Sequence, residues 1–156
     1  MKPQILSTNA GAMIFFHQAG VAFLLVTLTL WLQSAGITGL IAWIRRAVKS
    51  DISNLGTLRS AGLVVRFTTA VVALHALEIL LWASCYRWFC FSSWESAFYF
   101  SATSYSTVGY GDVTLPFEWR MFGPLESMIG VLMCGISVSL LFAIAMRLIG
   151  PQGRLS

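Results

Sequence analysis

Residues 107–112 read Thr-Val-Gly-Tyr-Gly-Asp, with glycine at 109 and again at 111. The chemistry on offer here belongs to the main chain. Glycine adopts left-handed backbone angles readily, so successive carbonyl oxygens can be turned toward one line. A ring of such oxygens replaces the hydration shell of a monovalent cation without a fixed charge that would hold it too tightly. One chain cannot make a ring. The hexapeptide therefore asks for several copies around an axis, and for elements that bring its backbone there.

The surroundings are apolar. Of 156 residues, 57% are hydrophobic and 10% charged, with a mean hydropathy of +0.77. A soluble domain carries about a quarter charged residues, and disorder is excluded because so much apolar surface would stay unburied. The apolar residues gather in long runs, as in a membrane protein. The net charge of +4 comes from basic residues set between those runs. They form no block with interleaved aromatics, so orientation in a bilayer explains them better than nucleic acid does.

A membrane-crossing helix needs roughly 20 mostly apolar residues. Residues 21–44, 67–85 and 124–149 qualify, interrupted in the first run by Gln33 and Ser34. Residues 92–115 are too polar and too glycine-broken to cross. The reading is span, span, re-entrant segment, span. Arg45, Arg46, Lys49, Arg59, Arg66, Arg147 and Arg154 fall on one side, Lys2, Arg87 and Arg120 on the other. That asymmetry places the first loop and the C-terminus in the cytoplasm and the N-terminus outside. Trp82, Tyr86, Trp88, Phe89, Phe91, Trp94 and Trp119 are expected at the outer interface, where amphipathic rings settle.

The re-entrant segment opens Ser92-Ser-Trp-Glu95, a capping box with Ser92 as N-cap and Glu95 three residues on. About a dozen residues without Gly or Pro follow, enough for three helical turns. Such a helix enters from outside and stops near mid-membrane, its C-terminal carbonyls offering partial negative charge to a cation. The non-helical backbone beyond it is tolerated at that depth only if buried in protein or lining a watery cavity.

With these parts in order, the hexapeptide resembles the selectivity filter of potassium channels. The resemblance runs over residues 77–148 and is nearest to small prokaryotic channels with a two-helix pore unit. It implies an all-α membrane protein of three transmembrane helices plus a re-entrant pore helix and filter loop, assembled as a homotetramer around a central pore. Backbone carbonyls of Thr107, Val108, Gly109 and Tyr110, with the Thr107 hydroxyl, would hold K+ as the permeant ion, Gly111 completing the filter. The Tyr110 ring would pack against the pore helix and Asp112 would stand at the outer mouth. Gly135 falls where relatives carry a gating hinge, although a small residue also permits close helix packing. Ser139 and Ala143 would line the cavity. Tyr105 and Thr103 depart from the usual pattern, which leaves a softer selectivity open.

Other polar residues carry weaker signals. Glu95, Asp112, Glu118 and Glu126 outweigh Arg87 and Arg120 on the external side, by a net −2 per chain, a field that concentrates cations. His75 and Glu78 share one face of the second span. Ionisable groups there are functional candidates by default: the pair is either a proton-sensitive contact with the pore helix or a structural brace. Cys85 and Cys90 lie near the outer face, and geometry would decide any bridge between them.

Residues 1–60 are read as N-terminal segment, first transmembrane helix and basic loop, residues 61–150 as pore domain, and residues 151–156 as a short tail. The leading function is passive, potassium-selective conduction across the plasma (cell inner) membrane. The alternatives are a weakly selective cation channel, the conducting subunit of a transporter, and a scaffold with a dead pore. No nucleophile–base pair, phosphate loop or metal set points to an enzyme. No cofactor is expected, and the partners are membrane lipids and further copies of the chain, not nucleic acid.

Overall fold

The computed structural model describes residues 3–47 and 57–149. Their regular structure is entirely helical: α1 Pro3–Ala47, α2 Thr57–Phe89, α3 Trp94–Tyr105, a 3-10 turn Phe117–Trp119, and α4 Phe122–Ile149. Three stretches, Phe15–Arg46, Ala61–Phe89 and Phe117–Met146, are long and apolar enough to cross a membrane. The order is the predicted one. Helix α2 begins at Thr57, four residues ahead of residue 61, where the pore domain is drawn to start. Lys2, Lys49 and Arg154, used to orient the chain, lie outside the described residues.

Lipid offers no partner to a stray polar group, so the hydroxyls within the spans are satisfied locally. Thr27, Thr38, Thr68, Thr69 and Ser84 each donate to the carbonyl four residues earlier. At 12 residues, α3 is about 18 Å long, roughly half the hydrocarbon thickness. It lies against both α2 and α4, which form its socket.

Two clusters hold the socket together. Leu25, Trp82, Tyr86, Ala97 and Phe122 form one, and Tyr105, Ile129 and Met133 form the other. The end of α3 comes so near α4 that a Cβ on Gly130 would stand 2.2 Å from the Tyr105 carbonyl oxygen. Only glycine fits there. Of the aromatics expected at the outer interface, Trp82 and Tyr86 are fully buried within the chain. Their polar tips explain it, since the indole donates to Thr29 Oγ1 at 3.0 Å and the phenol to Glu126 at 2.8 Å. Trp88 and Trp94 do stay exposed, and Trp119 stacks on Phe89 at 4.8 Å.

Candidate functional site

The site begins with how α3 starts. Its N-cap is Ser93, one residue later than Ser92, with extended backbone and an Oγ that accepts from the Ser96 amide at 3.1 Å. Ser93 and Ser96 hydroxyls then bond each other at 2.9 Å. Glu95 thus sits in the first turn, where its charge suits the helix N-terminus, and not at the closing position of a box.

The other end of α3 launches the loop. The Thr107 amide bonds the Ser104 carbonyl at 2.9 Å, and the Val108 and Gly109 amides bond the Thr103 carbonyl at 2.9 and 3.1 Å. The first two are the paired bonds of a Schellman cap. That cap needs a left-handed residue just past the helix, and Thr107 supplies it with φ +63°. A β-branched residue rarely adopts such an angle, and backbone strain of this kind gathers at functional sites. Gly109 (φ +51°) and Gly111 (φ +78°) continue the pattern, so left-handed residues alternate with Val108 and Tyr110. An ordinary strand throws successive peptides to opposite sides. Alternating hand does not, and with three amides drawn back to α3 the carbonyls of this stretch are left without a partner in α3. Residues 107–112 are all exposed on the single chain.

Two polar clusters grip α3 from behind. Tyr105 donates to Glu78 Oε2; His75 Nδ1 lies 2.8 Å from that phenol oxygen and 3.2 Å from the same carboxylate oxygen. Higher on the helix, Ser101 Oγ lies 2.9 Å from the Ile79 carbonyl and within bonding distance of Glu126, whose other oxygen accepts from Tyr86. Ser127 Oγ on α4 adds a 2.6 Å bond to the Ser104 carbonyl. Glu78 and Glu126 are completely buried. Glu126, counted among the external acids, is buried between helices with Tyr86 and Ser101 as its partners and does not face the outer surface. Arg120 lies over the Phe117 ring at 4.1 Å.

At the outer end, Tyr99 donates to Asp112 Oδ2 at 2.8 Å, and that bond holds the Tyr99 hydroxyl above its ordinary pKa range. Asp112 Oδ1 accepts from the Val113 amide at 3.0 Å. The Tyr110 ring is 71% exposed on the single chain. Thr103 Oγ1 bonds back into its own helix, 3.0 Å from the Tyr99 and Phe100 carbonyls, and does not brace the loop.

On α4, Gly135, Ser139 and Ala143 follow one another at four-residue steps on one stripe, and all three are exposed on the single chain. Among the described residues a Cβ on Gly135 would meet nothing within 4 Å, so no packing among them requires glycine there. Cys85 and Cys90 are free thiols, both half-buried. The residues missed in the sequence are Tyr86, Tyr99, Ser101 and Glu126, whose partners stand 13 to 40 positions away.

Residues 74–147 match the family model described as "Ion channel". No match was found among curated proteins or among solved structures.

Proposed function

We propose that four copies of this chain surround a central axis and pass K+ passively down its gradient, a reading supported by the match of residues 74–147 to the ion-channel family model. The observation that carries this reading is the alternation of left-handed angles at Thr107, Gly109 and Gly111 beside amides drawn back to Thr103. The carbonyls of Thr107, Val108, Gly109 and Tyr110 are the K+ ligands, with the Thr107 hydroxyl at the inner end. Ions move between adjacent sites by knock-on. The Tyr110 ring, free on one chain, packs on a neighbouring copy. Asp112, held by Tyr99, marks the outer mouth, and Ser139 and Ala143 line the cavity below. The membrane is the plasma (cell inner) membrane, with the C-terminus cytoplasmic, and no cofactor takes part.

A weakly selective cation channel is favoured by one specific feature: the Thr103 hydroxyl bonds only its own helix. Purified protein in liposomes tests both readings. Under mixed K+ and Na+, the reversal potential should follow the K+ gradient, without ATP or a second protein. A potential midway between the two gradients would favour the weakly selective channel. Flux that requires ATP or a partner would point to a transporter subunit. No flux from a verified tetramer would overturn the proposal.

A further inference from the structure

A ring of pore units needs an outer helix, a pore helix and an inner helix; α1 is additional to these. Its contacts fall at one informative place. Gln33, midway along the stretch of α1 that crosses lipid, is 2% exposed. Its Nε2 lies 3.1 Å from the Met133 carbonyl and 3.0 Å from Ser137 Oγ, both on α4. A carbonyl only accepts, so the nitrogen must be the atom facing it. Oε1 is left buried without a partner. Filling the space alone would be better done by leucine or methionine, with no orphaned oxygen.

Met133 and Ser137 stand one helical turn apart and bracket Gly135. That turn is the point of α4 most able to bend. Glycine inside a helix weakens it, nothing among the described residues packs where its Cβ would be, and Ser137 and Ser139 follow two and four positions on. Ser139 Oγ donates back to the Gly135 carbonyl at 2.8 Å. Glycine and serine together are a recognised cause of helix kinks. Here α4 runs unbroken through them, Phe122–Ile149.

α1, in contrast, is fastened to α2. The Trp82 indole bonds Thr29 at 3.0 Å, and Thr29 is fully buried. One turn beyond Gln33, Gly36 admits the Leu74 side chain so closely that a Cβ would stand 2.5 Å from it. Gln33 therefore ties the bendable turn of α4 to a helix pair that is fixed.

We propose that α1 is a gating buttress and Gln33 its latch, holding α4 unbent across Gly135 and releasing it when the pore changes state. The inference rests on the channel reading above. Gln33 is a positioning residue: it acts through α4 and touches no ion.

Single-channel recording in planar bilayers tests it with Gln33→Met, Ser137→Ala and the double variant, each with and without Gly135→Ala. A hydrogen bond between membrane helices changes an equilibrium by about 3-fold, and at most about 20-fold. Gln33→Met should shift the open-to-closed ratio by that much. Ser137→Ala should shift it less and in the same direction, because the Met133 carbonyl remains. The double variant should match Gln33→Met alone, the K+/Na+ reversal potential should stay put, and the shift should vanish in the Gly135→Ala background. Ratios within twofold of wild type for both single variants would overturn the latch, as would a shift that survives Gly135→Ala. If Gln33→Met fails to assemble, Gln33→Leu replaces it in the same comparison. Absence of current from the wild type would instead sink the channel reading.

Discussion

The Tyr105 phenol donates to the buried carboxylate of Glu78 across 27 positions of sequence, two residues ahead of Thr107. His75 Nδ1 lies within hydrogen-bond distance of both their oxygens. The last turn of α3 is thereby tied to α2, and through it the first residue of the filter. Glu78 Oε1 has no partner among the described residues, so the carboxylate already depends on its other oxygen. Tyr105→Phe should lower stability by about 1–3 kcal/mol, the usual result of orphaning a buried polar group. Glu78→Gln, which keeps an acceptor and carries no charge, should lose less. Thermal unfolding in detergent checks this, and a Tyr105→Phe protein as stable as wild type would contradict it.

Thr107 occupies a left-handed position that glycine would fill without strain. Thr107→Gly should relieve about 1–2 kcal/mol of local strain and should leave the Schellman cap in place. It also removes the hydroxyl assigned to the inner K+ site, so the reversal potential should move toward that of Na+. Gains in stability with a loss of selectivity would separate the two roles of this residue. Unchanged selectivity would mean the hydroxyl binds no ion.

What the sequence made legible follows from the range of each signal. Spans appear as runs of some 20 apolar residues, and Gly109 and Gly111 mark the loop because backbone angle is a local property. Ser92 and Ser93 are chemically alike, so the cap could be misplaced by one residue. Glu126 reads as a surface charge in the sequence because Tyr86 and Ser101 reach it from two other helices. His75 and Glu78 were visible as a pair at helical spacing, whereas Tyr105, their third member, came from another element. α1 reaches Pro3, well before the apolar run at 21–44, because helicity continues where hydropathy falls away.

Gly130 and Gly135 should respond oppositely to the same substitution. At Gly130 a methyl would overlap the Tyr105 carbonyl, which is backbone and has nowhere to go. Gly130→Ala should cost about 1–3 kcal/mol, in the range of an overpacked core, and should disturb conduction by pushing α3 off α4. Gly135→Ala meets open space within the chain and should assemble with normal or slightly raised stability, since alanine favours helix by about 1 kcal/mol. Size-exclusion profiles and melting curves of the two variants give the comparison. Equal losses would mean that Gly135 is also closely packed, by a neighbouring copy.

Cys90, just beyond the end of α2, has its thiol pushed up to about 11 by burial. A raised value means less thiolate at any pH below it, and thiolate is the reactive form. With Cys85 and Cys134 replaced by alanine, alkylation of Cys90 by iodoacetamide at pH 7.5 should be on the order of a hundredfold slower than for an ordinary exposed thiol. The rate should climb about tenfold per pH unit and level off only near 11. The same scarcity of thiolate slows oxidation, so Cys85 and Cys90 should remain unbridged in mild oxidant. A rate that flattens by pH 9 would place this thiol in water, and the helix end beside it would then be open to solvent.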